Sequence, residues 1–399
     1  MSTKPRKINI PGDKSITHRS IILGSVAEGK TLIRHPLLCG DTISTINAFR
    51  SMGVKIVKRS DSLEVYGRGL NGLTAPKTII DCGNSATTMR LLMGLLAGQS
   101  FDSYLTGDDS LMNRPMDRVI IPLTQMGARI MREDNVYHIY GRKLKSVVYD
   151  MPVSSAQVKS AIMLADLYAE GKSVINDPGT SRNHTELMLD FFGKSLKGRK
   201  ISVPGDVSSA AYHIAGALLT PGAEITIKNV GVNITRTGYI DVLRSMGAKI
   251  YIKKTKRYGY EPVAEISAGY SRLHATEIGG NMIPRVIDEL PLLAVLSAFA
   301  EGKTVIRDAG ELRMKESDRI RAVVRGLETL GVNAVELPDG LEISGMSPDS
   351  MRPGTIDSYN DHRIAMSFYI LSGILPGIKV KNKECVAVSY PTFFEDYHI

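Results

Sequence analysis

Basic and hydroxyl side chains stand in polar turns that come directly before apolar segments of the chain. The first turn, within "PGDKSITHRS", carries Lys14, Ser15, His18 and Arg19. A helix that begins at such a turn presents unpaired main-chain N–H groups and the positive end of its dipole, which favour phosphate and carboxylate groups. Together with the added cations, this turn is predicted to bind a small anion.

A second segment, residues 287–320, combines carboxylates with basic groups. Asp288 and Glu289 precede the apolar run "LPLLAVLSAFA". The charged side chains of "RMKESDR" follow: Arg313, Lys315, Glu316, Asp318 and Arg319. One interpretation is a catalytic group of acids and cations; the other is a solvated helix surface with pairs such as Glu316 with Arg319, each worth a few tenths of a kcal/mol.

A repeated unit must position these residues. Its pattern is a polar turn, an apolar helix rich in small residues, a glycine, a β-branched strand and a second helix that ends at glycine. Copies begin near residues 12, 83, 154, 205, 287 and 360. Three copies on each side of residue 204 predict two similar α/β domains, in which the first helix of each copy is buried and its polar turn lies where the two halves meet.

The boundaries follow from the repeats. We expect an N-terminal domain over residues 14–204 and a C-terminal domain over 1–13 plus 205–399, because the strand before the first copy can pair with the other half. The two "PGD" sequences mark equivalent hinges near 11–14 and 203–206. The sixth copy stops early, so its second helix is expected to be truncated.

Composition restricts the class of protein. The 399 residues, 43% hydrophobic and 23% charged, are typical of a soluble globular protein of two domains. Cys39, Cys82 and Cys385 lack C-x-x-C spacing, which favours a reducing compartment, and we expect the cytoplasm. No apolar run approaches membrane-spanning length, and the histidines lack metal-ligand spacing.

The net charge of +9 suggests anionic partners. The cations are scattered, the chain has no Trp, and aromatic residues do not alternate with basic ones, so nucleic acid is not expected as a partner. The "GDKS" turn also lacks the earlier glycine of a nucleotide-binding P-loop. Small anionic substrates therefore fit the charge best.

Several motifs resemble one known family. They are "PGDKSITHRS", "GNSATTMRLL", "LTGDDSLMNRPM", "SSAQVKSAIMLA", "SRNHTELML", "PGDVSSAAY", "DELPLLAVLSAFAEGKTVIRDAGELRMKESDRI", "NDHRIAMSF" and "SYPTFFEDY". In this order, over essentially the whole chain, they resemble the 5-enolpyruvylshikimate-3-phosphate synthase family (3-phosphoshikimate 1-carboxyvinyltransferases) of the enolpyruvyl transferases.

The resemblance implies a fold and an activity. The fold is α/β, with two similar domains, each of three βαβαββ units around buried parallel helices (an inside-out α/β barrel). The activity moves the enolpyruvyl group of phosphoenolpyruvate to the 5-hydroxyl of shikimate 3-phosphate and releases phosphate, in the shikimate pathway to chorismate and the aromatic amino acids. It needs no metal or organic cofactor, involves domain closure over the substrates, and is carried out by a monomer.

The resemblance also implies site residues in this sequence. The shikimate 3-phosphate side comprises Lys14, Ser15, Arg19, Ser155, Gln157, Ser181, Arg182, Asp288 and Lys315. The phosphoenolpyruvate side comprises Lys14, Asn84, Ala86, Thr87, Arg114, Gln157, Arg319 and Arg363. The catalytic residues are Asp288 as base for the 5-hydroxyl, Glu316 for protons at C3, Lys315 for charge on the leaving phosphate, and Lys14.

Two positions depart from the family pattern. Ala86 stands where many members carry glycine, and its methyl group is expected to weaken binding of glyphosate, as in the glyphosate-tolerant branch. Val388 and Ser389 stand where some relatives carry a phosphoenolpyruvate-binding lysine, so the sequence leaves open whether that contact is replaced here.

Two rival functions share some of these features. A UDP-N-acetylglucosamine enolpyruvyl transferase has the same fold and donor, but it uses a loop cysteine, and Cys39 and Cys82 lie in other contexts. A non-catalytic phosphate- or RNA-binding protein accounts for the charge but not for Asp288 with Lys315 and Glu316. Phosphate release from phosphoenolpyruvate with either acceptor separates the three.

Overall fold

The computed structural model describes residues 5–397, which divide into two units. The N-unit is Gly12–Val203 together with Tyr258–Glu261. The C-unit is the described chain up to Pro11, Pro204–Arg257 and the chain from Pro262 onward. Residues 1–4 and 398–399, which the repeats assigned to the C-terminal domain, lie outside the described residues.

The α-helices are numbered in chain order. They are α1 Lys14–Val26, α2 Gly40–Ser51, α3 Ala86–Ala97, α4 Asp109–Met112, α5 Asp117–Gln125, α6 Ala156–Asp166, α7 His184–Phe192, α8 Val207–Leu219, α9 Gly238–Ser245, α10 Ile283–Val286, α11 Leu290–Ser297, α12 Arg319–Thr329, α13 His362–Tyr369 and α14 Phe393–Asp396. The last of these is a single turn of helix, close to the C-terminus.

The strands are numbered in the same way. They are β1 Arg6–Ile8, β2 Glu28–Arg34, β3 Lys55–Lys58, β4 Ser62–Arg68, β5 Ile80–Asp81, β6 Ser103–Thr106, β7 Arg129–Glu133, β8 Val136–Tyr140, β9 Leu144–Lys145, β10 Val148–Asp150, β11 Ala169–Glu170, β12 Val174–Asn176, β13 Lys200–Ser202, β14 Glu224–Gly231, β15 Lys249–Tyr258, β16 Glu261–Gly269, β17 Glu277–Ile278, β18 Lys303–Ile306, β19 Ala334–Leu337, β20 Gly340–Ser344, β21 Thr355–Asp357 and β22 Lys379–Lys381.

Each unit repeats one sheet topology. The N-unit has sheets β13-β2-β4-β3 and β5-β6-β8-β7, and the C-unit has β1-β14-β16-β15 and β17-β18-β20-β19. In each sheet the first two strands are parallel, and the second and third are antiparallel. The third copies are smaller, with two-stranded pairs β9–β11 and β10–β12 in the N-unit and β21–β22 in the C-unit.

The first helix of several copies lies in the core, and where its sequence is apolar around nearly its whole circumference the helix is buried throughout. Every residue of α8 and of α11 is buried. In the N-unit, α3 and α6 touch at a glycine: a Cβ at Gly94 would lie 2.1 Å from the carbonyl oxygen of Ala161. Small residues therefore set how closely these helices approach.

Both "PGD" turns depend on glycine for the same reason. A Cβ at Gly12 would lie 2.1 Å from the carbonyl oxygen of His35, and a Cβ at Gly205 would lie 2.7 Å from Cγ1 of Ile10.

The N-terminal strand belongs to the C-unit because β1 pairs in parallel with β14, with Ile8 opposite Ile227.

The tip of the β15–β16 hairpin is an exception to the expected C-terminal domain over residues 205–399. Tyr258–Glu261 belong to the N-unit, although the sequence places them inside the second half. Glu261 lies 2.6 Å from Nδ1 of His184, and both side chains are buried. The ring of Tyr260 lies 5.1 Å from that of Phe191. Such long-range packing leaves no periodic signal in the sequence.

Candidate active site

Lys14 is the first residue of α1 in the N-unit. The side chain of Asp13 accepts a hydrogen bond from the main-chain N–H of Ile16 at 2.8 Å and so caps the helix. The ammonium group of Lys14 lies 2.8 Å from Oδ2 of Asp41, in the first turn of α2. Asp41 therefore positions the predicted anion-binding lysine.

Arg19 joins three elements of the N-unit. Its Nε donates to Oγ1 of Thr185 at 2.7 Å, and its Nη2 donates to Oγ of Ser160 at 2.8 Å. Its Nη1 donates to the carbonyl oxygen of Ser15 at 3.1 Å. These oxygens orient the buried guanidinium.

His18, one residue earlier, has a structural environment. Its Nδ1 lies 2.7 Å from Oγ1 of Thr45, which is 2.7 Å from Oγ1 of Thr88, and Thr88 is 2.8 Å from Oγ of Ser85. Burial, and then Lys14 and Arg19, hold the pKa of His18 well below its usual value. A neutral His18 therefore links the start of α1 to the start of α3.

Gln157 and Thr87 meet at the beginnings of α6 and α3. Nε2 of Gln157 donates to Oγ1 of Thr87 at 3.0 Å, and Arg90 donates to Oε1 of Gln157. Arg90 also donates to the carbonyl oxygen of Pro115 at 2.9 Å. Arg90 thereby fixes the amide of Gln157, a contact that the sequence analysis did not assign.

Arg114 and Asn84 form a second pair near the start of α3. Nη2 of Arg114 donates to Oδ1 of Asn84 at 2.7 Å, and Nδ2 of Asn84 donates to Oδ2 of Asp108 at 2.8 Å. Ala86, the first residue of α3, is buried. The structure thus brings Asn84, Ala86, Thr87, Arg114 and Gln157 together around the beginnings of α3 and α6.

Ser155 and Ser181 flank a loop organised by Asp177. Ser155 precedes α6 and does not cap it. Ser181 donates to Oδ2 of Asp177, and Ser154 donates to its Oδ1 at 2.5 Å. Burial would raise the pKa of Asp177, but these hydrogen bonds outweigh it and lower the pKa. Arg182 follows Ser181 in this loop. Asp177 went unassigned because its partner Ser154 is 23 residues away in the sequence.

Arg319 is the centre of the predicted group in the C-unit. Its Nε lies 2.7 Å from Oδ2 of Asp361, its Nη2 lies 2.6 Å from Oε2 of Glu316, and its Nη1 lies 3.8 Å from Oδ1 of Asp288. Burial alone would lower the pKa of Arg319, but Asp361 and then Glu316 outweigh it and raise the pKa. Arg319 is therefore a permanently charged, buried cation.

Arg363 shares a carboxylate with Arg319. Its Nη2 lies 4.0 Å from Oδ2 of Asp288, and its Nη1 lies 3.6 Å from Oε1 of Glu289. Burial opposes the charge, but Tyr212, Asp288 and Glu289 raise the pKa of Arg363 well above its usual value. Asp288 thus lies between two guanidinium groups.

Lys315 completes this group, in a loop rather than on a helix. The stretch "LRMKESDRI" divides into a 3-10 turn that ends at Met314, a bend, and α12, which is capped by Asp318. The solvated-helix interpretation is therefore wrong for this stretch, although the Glu316–Arg319 pair exists. Burial lowers the pKa of Lys315, and Asp288 partly opposes that effect.

The described residues contain neither a group of metal ligands nor a membrane-spanning helix. Among residues 5–397, no three His, Cys, Asp or Glu side chains are grouped as metal ligands. Within the same range, no helix is long and apolar enough to cross a bilayer.

Comparison with known proteins identifies the family. The sequence model of EPSP synthase (3-phosphoshikimate 1-carboxyvinyltransferase) matches residues 5–397. The chain belongs to the EPSP synthase family. It is 50% identical to the 3-phosphoshikimate 1-carboxyvinyltransferase of Thermoanaerobacter sp. (strain X514), over 98% of this chain and 96% of the relative. It is 48% identical to that of Citrifermentans bemidjiense, over 97% and 94% of the two chains.

Solved structures agree with this assignment. An EPSP synthase from Acinetobacter baumannii superposes with a TM-score of 0.85 at 42% identity, over 98% of this chain and 94% of that one. The enolpyruvyl transferase NikO from Streptomyces tendae, at 16% identity and a TM-score of 0.79, shares the fold. The predicted family, its carboxyvinyltransferase activity and its two-domain α/β fold are therefore confirmed.

Proposed function

We propose that the grouped side chains described above perform the family reaction, in which the enolpyruvyl group of phosphoenolpyruvate passes to the 5-hydroxyl of shikimate 3-phosphate. The observation that carries this proposal is the position of Asp288. It is a carboxylate 3.8 and 4.0 Å from the nitrogens of two buried arginines, with Lys315 and Glu316 beside it. Such a group can accept a proton next to cations that bind the donor's phosphate and carboxylate.

The proposed shikimate 3-phosphate contacts use the polar turns of the N-unit. Lys14, Ser15 and Arg19 lie on the first turns of α1, and Ser155, Gln157, Ser181 and Arg182 lie at the start of α6 and before α7. Main-chain N–H groups at helix starts bind phosphate, and hydroxyl and amide groups bind the ring hydroxyls. Asp288 and Lys315 are proposed to contact the 5-hydroxyl.

The proposed phosphoenolpyruvate contacts are mainly arginines. Arg114, Arg319 and Arg363 carry planar guanidinium groups, which suit carboxylate and phosphate bidentately. Their partners already hold them in fixed orientations. The remaining members of the set are Lys14, Asn84, Ala86, Thr87 and Gln157.

The proposed chemistry is addition followed by elimination. Asp288 removes the proton of the 5-hydroxyl while the oxygen of that hydroxyl forms a bond to C2 of phosphoenolpyruvate. At the same time, C3 gains a proton from Glu316. The C2–O bond to phosphate then breaks, C3 returns a proton, and phosphate leaves beside Lys315. The proton taken up by Asp288 passes to the departing phosphate, so that both carboxylates return to their starting states, and the groups named here supply general acid–base catalysis.

The direct test measures phosphate release from phosphoenolpyruvate by the purified protein with shikimate 3-phosphate, and in parallel with UDP-N-acetylglucosamine. We expect turnover with the first acceptor and none with the second. Turnover only with the nucleotide sugar, or with neither acceptor, would overturn the proposal.

We further propose that this enzyme is of the glyphosate-tolerant type. The buried Ala86 begins α3 between Asn84 and Thr87, which both belong to the proposed phosphoenolpyruvate set. Its methyl group would occupy space needed by glyphosate, which is longer than phosphoenolpyruvate. Ala86→Gly should therefore lower the inhibitory concentration of glyphosate by about tenfold or more, equivalent to about 1.4 kcal/mol, with a smaller change in the KM for phosphoenolpyruvate. Equal inhibition of both proteins would refute this.

A monomeric, cytoplasmic enzyme is proposed as well. The three cysteines are free, and Cys39 and Cys82 are buried. Burial raises the pKa of both thiols, so they are poor nucleophiles. Sedimentation at micromolar concentration should give the mass of one chain; a dimer mass would contradict the proposal. Closure of the domains over the substrates stays a prediction.

A further inference from the structure

The guanidinium of Arg363 has two different carboxylate neighbours. Glu289 lies 3.6 Å from its Nη1, and Asp288, one residue earlier in the chain, lies 4.0 Å from its Nη2. The buried hydroxyl of Tyr212 lies near the same guanidinium, and each of the two groups shifts the pKa of the other. The Glu289 side chain is 2% exposed and that of Asp288 is 19% exposed, so only Asp288 is reached appreciably by solvent.

Glu289 is held in place by a buried polar chain. Oγ of Ser208 donates to Oε1 of Glu289 at 2.5 Å, and Nη2 of Arg236 donates to Oγ of Ser208 at 2.7 Å. Arg236 in turn lies 3.4 Å from Oδ1 of Asp206. Every member of this chain is buried, which restricts the movement of Glu289 away from Arg363.

Arg319 shows the same arrangement. Asp361, which is fully buried, holds its Nε and also caps α13 by accepting the main-chain N–H of Arg363 at 2.8 Å. Glu316 and Asp288, about a fifth exposed, contact the other nitrogens. Each arginine therefore has one fixed, buried carboxylate and at least one carboxylate that is more accessible.

We propose that Glu289 is a positioning residue that holds Arg363 for phosphoenolpyruvate and keeps it from closing onto Asp288; this rests on the proposed function of both residues. A buried guanidinium needs a counter-charge. With Glu289 present, that charge is supplied from a group that does not contact substrate. Without Glu289, Arg363 pairs with Asp288. The arginine is then less able to bind phosphoenolpyruvate, and Asp288 is less able to accept a proton.

The test is Glu289→Gln, which keeps the shape of the side chain and an acceptor for Ser208 but removes the charge. We expect the KM for phosphoenolpyruvate to rise about tenfold, the change that follows from losing roughly 1.4 kcal/mol of binding. The value of kcat should fall by less, and the KM for shikimate 3-phosphate should change several-fold less than that for phosphoenolpyruvate. An unchanged KM for phosphoenolpyruvate in a folded variant would overturn the inference.

Two buried tyrosines beside Glu289 provide a matched pair of variants. Tyr212 lies near the guanidinium of Arg363. Tyr239 instead donates to the carbonyl oxygen of Val207 at 3.1 Å, and burial followed by Glu289 raises its pKa. Tyr212→Phe should raise the KM for phosphoenolpyruvate about threefold, and Tyr239→Phe should leave it unchanged. If Glu289→Gln does not fold, these two tyrosine variants test the inference instead. Equal changes in the KM for phosphoenolpyruvate in Tyr212→Phe and Tyr239→Phe would overturn it.

Arg363→Lys separates this inference from the proposed function. If Arg363→Lys raises the KM for phosphoenolpyruvate while Glu289→Gln and Tyr212→Phe do not, the inference alone fails. If Arg363→Lys has no effect on this KM, the proposed role of Arg363 fails, and the inference fails with it.

Discussion

The proposed site residues of the two units hold their cations in different ways. In the N-unit, hydroxyl, amide and main-chain oxygens orient Arg19, Arg90 and Arg114. In the C-unit, carboxylates lie against Arg319 and Arg363. Lys14 is an exception in the N-unit, because its ammonium group pairs with the carboxylate of Asp41.

This difference suggests a division of work. Neutral partners fix the direction of a cation but leave its charge to attract an anion. Carboxylates beside a cation reduce that attraction, yet they provide groups that can accept and return protons. The acids of the proposed mechanism, Asp288 and Glu316, therefore both lie in the C-unit, whereas the proposed anion-binding cations lie in both units.

Replacing the acids of the C-unit should give the largest effect on turnover. We expect Asp288→Asn and Glu316→Gln each to lower kcat by about 10²- to 10⁴-fold, because each removes a general acid or base. Ser155→Ala, in the N-unit, should mainly raise the KM for shikimate 3-phosphate. Steady-state kinetics measure both, and a larger loss of kcat from Ser155→Ala would refute the division of work.

Removing a cation should destabilise the C-unit more than the N-unit. Arg319→Ala leaves the fully buried Asp361 without its cation, which costs about 3–5 kcal/mol. Arg19→Ala removes the donor to the hydroxyl groups of Thr185 and Ser160, which costs about 1–3 kcal/mol. The free energy of unfolding in urea measures each cost. Equal costs would remove the distinction between the two kinds of partner.

The pH dependence of kcat should depend on Lys315. If protonated Lys315 is required, activity is complete below its pKa and is lost as pH rises through it. Because burial lowers that pKa, the loss should begin at a lower pH than for an exposed lysine. Lys315→Arg keeps the charge and should move the alkaline limb to higher pH, with lower kcat at the optimum.

Lys303 offers the control for this experiment, since it is exposed and pairs with Glu342. Lys303→Arg should leave the alkaline limb unchanged. An alkaline limb that is the same in Lys315→Arg as in the unchanged protein would exclude Lys315 as the group responsible.

The smallest expected effect concerns the helix caps. Ser85 caps α3 in the N-unit by accepting the main-chain N–H of Thr88 at 3.1 Å, and Ser85→Ala should cost about 1 kcal/mol. Asp361→Asn keeps a cap on α13 but removes the counter-charge of Arg319, so it should cost more. Thermal unfolding of the two variants compares them, and a milder effect at Asp361 would contradict the comparison.

Much of the architecture could be predicted because the repeats are local. An apolar helix of small residues after a polar turn is visible in one short stretch, and six such stretches define two similar halves. The third copies proved smaller than the others, with two-stranded pairs in place of four-stranded sheets. Their strands are short and weakly patterned, so the sequence alone did not distinguish them.

The candidate site was predictable in its cations but not in their partners. Lys14, Arg19, Arg114, Arg319 and Arg363 stand in motifs that the family resemblance identified. The partners lie far away in sequence: Thr185 for Arg19 and Asp361 for Arg319. Glu289 stands next to Asp288 in the sequence, but its buried contact with Ser208 gives it a different environment.

The sequence by itself determined the repeated α/β units, the anion-favouring turns and the family, because these depend on local periodicity and on residue types at fixed spacing. The tertiary structure alone decided which carboxylate faces which arginine, which lysine loses solvent, and that Tyr258–Glu261 pack with the N-unit. The physical reason is that burial and charge pairing arise between residues distant along the chain, where no local pattern records them.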